Sequence, residues 1–441
     1  MATPSKVELS PSDKPTFTVD SLSQDSAELT SKLLQENHDK HHIFFNKGGF
    51  HNHIVHHLLT VYALGASPEA IQRHYDNNKS YQRTDLNFEE KVVEDMHDPA
   101  KFKKYLGDQK YYYDFLVFFQ YEMEAKGWQN VVNEYLFGGD ERAEDLLVRL
   151  YAGFLHPLIH LGFGVEFQQP AIVAEALAQT AVHDSWIAPL FHDSERKAKE
   201  KTSGSKSLVE LLADIQANEK IRSAPKWSDG NKIRDGILAR AGDEMTDITS
   251  QYLVKPDDDL DEATAKLMNS VSYFTGCSQQ PPHVPKLDFY YIHCLNCSVF
   301  LPSLLSQPWL SRQNYARLLT WKGRLDLAMY ASRGSPKLLL DEVTQYTPKT
   351  LSQGSANDWS KIFEEINKVE DDGHSSKVIR ALAKAREVSA KYESHDEFVL
   401  KGGDWERLAN LAVDSVQEGE NWVRSCGFEE AWREVPERSR L

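Results

Sequence analysis

Apolar side chains recur every three or four residues along most of this 441-residue chain, which is the spacing of a buried helix face. In residues 207–221, for example, Leu208, Leu211, Leu212 and Ile215 would lie on one side of a helix. The same spacing is found in residues 141–155, 261–274, 287–301, 377–388 and 405–416. No run of alternating strands separated by Asn-Gly or Asp-Gly turns is found, so the sequence predicts an all-α fold.

Three segments break the helical pattern and are predicted to be surface connections: residues 193–206, 276–285 and 346–357. The candidate site residues described below come from both sides of all three. The sequence therefore predicts a single large helical domain over residues 17–441, with a buried metal site between helices. Residues 1–16 are polar and include several Pro and Ser, and we expect them to form a flexible N-terminal segment.

The charge of the chain argues against two classes of partner. It carries 50 Lys and Arg against 66 Asp and Glu, a formal net charge of −16, whereas nucleic acids and anionic membranes attract basic surfaces. No stretch approaches the roughly 20 apolar residues of a membrane helix. We therefore expect a cytoplasmic protein with no nucleic-acid and no membrane partner. Ser439, Arg440 and Leu441 fit the Ser-Lys-Leu class of peroxisomal address, which is the alternative location.

Histidine is the unusual residue, with 17 in total and seven between His38 and His57. The first three of these seven lie among charged residues and are interpreted as a solvated helix end: His38, His41 and His42. In the following segment, a helix would line Phe50, His53, His57, Val61 and Leu64 along one mostly apolar face. Two imidazoles at this spacing can hold one metal ion, although a pair of hydrogen-bonded core histidines explains the pattern equally well.

Two further segments place histidines in apolar surroundings. His156 and His160 flank Pro157, which predicts a kink or a fresh helix start beside His156. His293 shares a helical stripe with Phe289, and a single histidine of this kind is more often a core residue than a ligand.

His374 and Lys377 lie one helical turn apart, after Asp371 and Asp372. A lysine ammonium has no lone pair for a metal, so Lys377 could bind one only as a neutral amine or as a carbamate formed with carbon dioxide. The alternative is a surface ion pair with Asp371 or Asp372.

Other motifs are missing from the sequence. There is no Gly-x-Gly-x-x-Gly, no Gly-x-x-x-x-Gly-Lys-Ser/Thr and no Gly-x-Ser-x-Gly, so no built-in nicotinamide or flavin domain is predicted. Cys294 and Cys297 lie in an apolar helical run without a second Cys pair, and are interpreted as core residues.

Taken in order, these blocks resemble the questin oxidase-like family of fungal oxygenases, which cleave anthraquinone rings in polyketide biosynthesis. The resemblance rests on Phe-His-Asn-His at residues 50–53, Leu-Gly-Ala-Ser-Pro-Glu at 64–69, His-Pro-Leu-Ile-His-Leu-Gly at 156–162, His293, and Asp-Gly-His-Ser-Ser-Lys at 372–377. It extends over residues 44–432, approximately.

The resemblance implies a non-haem iron, Fe(II), held by four histidines and an N6-carboxylated lysine. Carried over block by block, the ligands are His53, His156, His293, His374 and Lys377, with His374 and Lys377 at the reacting centre. Three other histidines lie in the same blocks and are alternative ligands there: His56, His57 and His160. Asp371 or Asp372 would orient His374.

The implied activity is that of a dioxygenase which uses O2 to cleave a central-ring carbon–carbon bond of an anthraquinone. Because a quinone is electron-poor, we expect a reduced, hydroquinone-like substrate made by a partner reductase that uses NADPH. Phe163, Phe289 and Tyr290 are candidates to stack on its planar rings. The family also includes members described as NADPH-dependent Baeyer–Villiger oxygenases, which is the alternative activity.

Two rival functions come from different classes. The dipeptides His97-Asp98, His183-Asp184 and His192-Asp193 are of the kind that binds metal in helical phosphohydrolases and related di-iron oxygenases. The chain could also be a non-catalytic helical interaction protein whose histidines are core residues.

Overall fold

Helices account for most of the chain in the computed structural model, which describes residues 1–20, 22–200, 205–352, 354–417 and 422–438. Up to residue 182 the helices are α1 (Gln24–Lys40), α2 (Ile54–Ala63), α3 (Pro68–Lys79), α4 (Glu90–Met96), α5 (Pro99–Phe102), α6 (Tyr112–Lys126), α7 (Trp128–Phe137), α8 (Glu141–Arg149), α9 (Ala152–Glu166) and α10 (Pro170–Val182). Beyond it they are α11 (Ala188–Glu200), α12 (Leu208–Ala217), α13 (Glu219–Ser223), α14 (Ala239–Thr249), α15 (Leu260–Cys277), α16 (Phe289–Ser298), α17 (Leu301–Leu305), α18 (Arg312–Ser332), α19 (Asp341–Thr344), α20 (Trp359–Ile366), α21 (His374–Ser389) and α22 (Asp404–Ser415).

Extended structure is limited, in the described ranges, to one short ladder and three isolated bridges. Strands β1 (Leu287–Asp288) and β2 (Trp422–Val423) run parallel, with Leu287 opposite Trp422. The all-α prediction is confirmed.

Side-chain caps determine where several helices begin. Ser67 accepts a hydrogen bond from the backbone N–H of Ala70, and Pro68 occupies the first turn of α3, as predicted. Ser207 and Glu210 form a reciprocal capping box at the start of α12. Both caps satisfy backbone N–H groups that have no partner within the helix itself.

The first predicted connection is wrong over most of its length, because α11 continues through residues 193–200. Leu190, Phe191 and Ser194 form a buried stripe on this highly charged helix, and the Ser194 hydroxyl lies 2.7 Å from that of Thr249. The many charged residues on the exposed face of α11 obscured the helical spacing of its buried residues. The other two predicted connections follow the ends of α15 and α19, as expected.

Contacts group the residues into two compact units. Unit 1 contains Met1–Ser185, Phe300–Ser311 and Glu370–Lys377, and unit 2 contains Trp186–Val299, Arg312–Val369 and Val378–Leu441. In the N-terminal segment, Val7 and Leu9 are buried in unit 1, and the Val7 N–H donates to Gln35. The single domain over residues 17–441 and the flexibility of residues 1–16 stay predictions.

Unit 1 is built around the antiparallel pair α9 and α10, which packs on α6 and α2. Every residue of α10 is buried. Gly164 allows the close approach of the two helices, because a Cβ there would lie 2.7 Å from Val173. The arrangement places the two histidines of α9 in the interior of the unit.

Unit 2 has α18 as its central helix, buried from Leu318 to Ser332. Trp321 stacks on Phe191 with the ring centroids 4.4 Å apart. Cys294 and Cys297 are buried in α16, which confirms their interpretation as core residues.

No single helix of the described residues combines the length and apolar character needed to cross a membrane. The pair α8 and α9, bent by 100° at its break, meets the criterion by length and composition only. Residues 439–441, which carry the predicted peroxisomal address, lie outside the described residues.

Candidate metal centre

His53 lies at the N-cap of α2 rather than inside the helix. Asn52 starts the helix by accepting a hydrogen bond from the N–H of Ile54, and residues 44 and 51 form a short bridge just before it. The predicted helical face is therefore wrong at its first two positions, and Phe50 is 64% exposed. Its remaining members are buried as expected: His57, Val61 and Leu64.

His156 follows the predicted break. Gly153, Phe154 and Leu155 all have positive φ, and the regular part of α9 begins at His156 and Pro157. Gly153 is required here, because a Cβ would lie 2.5 Å from Cε1 of His183. The Gly153 carbonyl accepts a 2.5 Å hydrogen bond from Nδ1 of His156, which fixes the orientation of the ring.

His374 is the first residue of α21, and two aspartates organise its surroundings. Asp371 accepts hydrogen bonds from the backbone N–H groups of Gly373 and Ser375. Asp372 accepts from Nδ1 of His374 at 2.5 Å and lies 3.3 Å from Nδ1 of His53. One carboxylate therefore orients two histidines that are 321 positions apart in sequence (374 − 53).

The three rings come together in unit 1 and are buried. One ring nitrogen from each of His53, His156 and His374 lies within 4.8 Å of the other two. In each ring Nδ1 faces an oxygen acceptor, so with one proton per ring the lone pair is on Nε2. The Nε2 atoms of His53 and His156 are 2.9 Å apart, where two lone pairs repel unless a proton or a cation lies between them.

This donor set fits a metal ion. Two nitrogens bound at about 2.1 Å and at right angles to one ion would be about 3.0 Å apart. Imidazole ligands without thiolate suit iron, copper, nickel or zinc. The oxygen acceptors on the Nδ1 atoms are the usual supports of metal-binding histidines.

Lys377 is buried one turn along α21 from His374. Burial lowers the pKa of its ammonium to about 8, against the attraction of Asp372 and Asp371. Although burial would raise the pKa of Asp372, His374 and His53 hold it well below its usual range, so this carboxylate stays ionised. Lys377 therefore reaches its neutral, reactive form more readily than an exposed lysine does.

His293 belongs to unit 2, on α16. It is buried, and its Nδ1 donates to the Phe289 carbonyl at 2.6 Å, the same support that Gly153 gives His156. Its role as the fourth histidine ligand stays a prediction.

A second layer of histidines surrounds the three. His51 stacks on His156 with the ring centroids 3.8 Å apart, and its Nε2 lies 2.9 Å from that of His183. His57 packs against His74 at 4.4 Å. His56 bonds to His160, which bonds in turn to Glu175.

Two of the histidines interpreted as a solvated helix end are in fact buried. His38 is hydrogen-bonded to Glu175, and His42 is 2% exposed, with its Nδ1 accepting the Phe44 N–H. That interpretation is wrong because the local sequence does not show which helices pack against this end.

The rival His-Asp dipeptides lie at residues 97–98, 183–184 and 192–193. Among the described residues, none of them contributes to a group of three potential metal ligands. His97 and His192 are exposed, and Asp98 caps α5.

Comparison with known proteins shows the family of this chain. A model of the family described as Questin oxidase-like matches residues 50–382, which include all three histidines. The chain belongs to the questin oxidase-like family. It is 40% identical over 419 residues to the Baeyer-Villiger oxidase ptaJ of Pestalotiopsis fici, covering 93% of this chain and 94% of that protein. It is 37% identical over 443 residues to a questin oxidase of Aspergillus terreus, covering 99% and 98%.

A further relative is the Baeyer-Villiger monooxygenase dmxR6 of Cryptosporiopsis sp., 39% identical over 440 residues and covering 97% of this chain and 98% of that protein. The chain is accordingly a questin oxidase-like oxidoreductase.

Proposed function

We propose that this oxidoreductase is an iron-dependent oxygenase that opens the central ring of a reduced anthraquinone-type polyketide. The observation that carries the proposal is the meeting of His53, His156 and His374, with their Nδ1 atoms on oxygen acceptors and two Nε2 atoms 2.9 Å apart. The names of the relatives support an oxygenase acting on questin-like anthraquinones.

The proposed ligand set is His53, His156, His293, His374 and a carboxylated Lys377. Bound Fe(II) would supply the redox chemistry that activates O2. Asp372 holds the rings of His53 and His374, and Gly153 and Phe289 hold those of His156 and His293. Since each ring is held by an acceptor of its own chain, the donors are oriented before any ion binds.

Carboxylation of Lys377 follows from its burial. Carbon dioxide reacts with a neutral amine, and the pKa of about 8 makes that form accessible near neutral pH. Lys377→Ala is expected to lose at least 90% of turnover, and added acetate is expected to restore part of it. Lys384→Ala, on the same helix with its ammonium paired to Glu387, is the matched control and keeps full activity. A 13C carbamate signal from labelled bicarbonate that persists in Lys377→Ala contradicts the assignment.

The substrate is proposed to be the electron-rich hydroquinone form, because oxygen attacks such a ring more easily than a quinone. In unit 1 the buried Phe163 ring lies over His56, with centroids 5.2 Å apart. In unit 2, Tyr290 lies beneath the Arg333 guanidinium at 3.6 Å, and Phe289 meets His293 edge-on at 4.8 Å. These three rings stay the proposed stacking residues.

Oxygen uptake with 18O2 tests the reaction. We expect uptake with chemically pre-reduced substrate alone, and two 18O atoms in the product. No uptake is expected with the quinone alone.

The relatives' names favour a second candidate, a Baeyer–Villiger oxygenase on an anthraquinone. Such an enzyme inserts one oxygen atom and reduces the other to water, with two electrons from reduced nicotinamide. Strict dependence on NADPH without a reductase, together with one 18O per product, would establish this candidate and overturn the first.

A further inference from the structure

A chain of hydrogen-bonded side chains runs through the interior of unit 1 and ends at His56. Nε2 of His56 lies 3.1 Å from Nδ1 of His160, and Nε2 of His160 lies 2.8 Å from Oε2 of Glu175. The other oxygen of Glu175 lies 2.6 Å from Nδ1 of His38, whose Nε2 is 3.0 Å from the amide of Gln120. All members except Gln120 are buried.

The direction of these hydrogen bonds follows from Glu175. An ionised carboxylate only accepts, so both His160 and His38 donate to it. With one proton on each ring, His160 then accepts at Nδ1, and His56 must donate its Nε2–H. The remaining nitrogen of His56, Nδ1, therefore carries a lone pair.

That nitrogen has no hydrogen-bond partner among the described residues, although His56 is 0% exposed. A buried acceptor without a partner lowers the stability of the folded state, so a native structure that keeps one calls for an explanation. The His56 ring lies 5.8 Å from that of His53, 6.1 Å from that of His156 and 5.2 Å from that of Phe163. Two proposed metal ligands and one proposed stacking residue therefore surround it.

We propose that Nδ1 of His56 accepts a hydrogen bond from a phenolic hydroxyl of the substrate and thereby selects hydroxylated over O-methylated rings. This assignment rests on the proposed function for the class of substrate. His160, Glu175 and His38 are positioning residues, because they determine which nitrogen of His56 carries the proton.

Two substitutions at His56 separate the two ring nitrogens. Asparagine places its amide near the position of Nδ1, whereas glutamine places its amide near that of Nε2. Binding is measured by tryptophan fluorescence without oxygen, at about pH 6 where a phenol keeps its proton. The probes are 2,6-dihydroxyanthraquinone and 2,6-dimethoxyanthraquinone, and the iron content of each variant is measured alongside.

We expect His56→Gln to bind the dihydroxy probe about tenfold more weakly, with little change for the dimethoxy probe. His56→Asn is expected to stay within about threefold of the unchanged protein for both. In Glu175→Gln, the orientation in which the amide oxygen still accepts from His38 directs the amide N–H to His160, which reverses the chain and turns Nδ1 of His56 into a donor. This variant is expected to shift the preference toward the dimethoxy probe, which a merely structural role would not do.

Unchanged binding of both probes by His56→Gln overturns the inference. Loss of iron in both His56 variants also overturns it, because His56 would then be a ligand. Because binding is measured without turnover, its result can be interpreted even if the proposed iron chemistry is wrong. An unchanged protein that binds neither probe also overturns the inference, whereas the proposed function, whose substrate is the reduced form, is decided separately by the oxygen-uptake experiment.

Discussion

Two buried polar clusters, one in each unit, differ in how their polar atoms are paired. In unit 2, both carboxylate oxygens of Asp326 lie 2.5 Å from the Lys322 ammonium, so each charge meets its opposite. In unit 1, His53, His156 and His374 have their outer nitrogens on oxygen acceptors, and two inner nitrogens face each other. The first cluster pairs two opposite charges, whereas the second brings together three rings whose facing nitrogens a bound cation would stabilise. Burial alone therefore does not distinguish the two clusters, whereas the chemistry of the atoms that face each other does.

The largest effect is expected from breaking the cluster of unit 1. His374→Ala removes a donor and should lower bound iron and turnover by at least about 100-fold. Elemental analysis and oxygen uptake measure the two. The double variant Lys322→Met/Asp326→Leu is the control, and should keep its iron because a complete buried ion pair is replaced by apolar groups. Normal iron in His374→Ala would remove His374 from the ligand set.

Gly153→Ala tests how the backbone holds His156. The alanine would have to adopt φ +53°, and its methyl group would lie 2.5 Å from His183. The free energy of unfolding should therefore fall by about 2–4 kcal/mol, and iron should bind at least tenfold more weakly. Urea unfolding and elemental analysis provide the measurements. Gly242→Ala is the matched control, since a Cβ at this helical glycine meets nothing within 4 Å. Equal behaviour of the two variants would contradict the account.

The histidines of unit 1 also predict a dependence of stability on pH. Burial lowers the pKa of both His42 and His183 to about 4, so between about pH 4 and 6.5 the unfolded chain binds protons that the folded chain does not. The free energy of unfolding should therefore fall as the pH drops through this window, by about 1–3 kcal/mol for each histidine. His42→Gln should flatten the curve measured by urea unfolding, and an unchanged slope would show that His42 does not contribute.

The smallest effect is expected at Gln179, which shares α10 with Glu175. Gln179 is 0% exposed, and neither atom of its amide has a partner among the described residues, whereas Glu175 binds two histidines. Gln179→Leu should destabilise by less than about 1 kcal/mol, because it removes no hydrogen bond. Glu175→Gln should destabilise by about 2–3 kcal/mol. Thermal and urea unfolding measure both variants. If Gln179→Leu lost as much free energy of unfolding as Glu175→Gln, the Gln179 amide would have to make a hydrogen bond.

Local signals in the sequence were sufficient for much of the fold. Periodicity predicted the all-α fold, and Ser67 and Pro68 predicted the start of α3, because helix caps and apolar spacing act over a few residues. Pro157 likewise predicted the break before His156. The period failed at Phe50 and His53, since a helical wheel cannot show that Asn52 starts the helix two residues further on, at Ile54.

The support of the site could be predicted only in part. The sequence predicts that Asp371 or Asp372 orients His374, because both are close to it in sequence, but the contact of Asp372 with His53 depends on the tertiary fold. Glu175 carries no local signal for its bonds to His38 and His160, which come from α1 and α9. A sequence pattern shows which residue types recur at which spacing. Hydrogen bonds between distant segments form only when the helices pack together, so the pattern does not show them.

The most direct test of the proposed iron site is an anomalous-scattering map of the purified protein, recorded at the iron absorption edge. We expect one iron per chain, at about 2.1 Å from Nε2 of His53, His156 and His374. His293 and a carboxylated Lys377 should complete its ligands. Active protein without iron, or two metal peaks at the His-Asp dipeptides, would contradict the central claim.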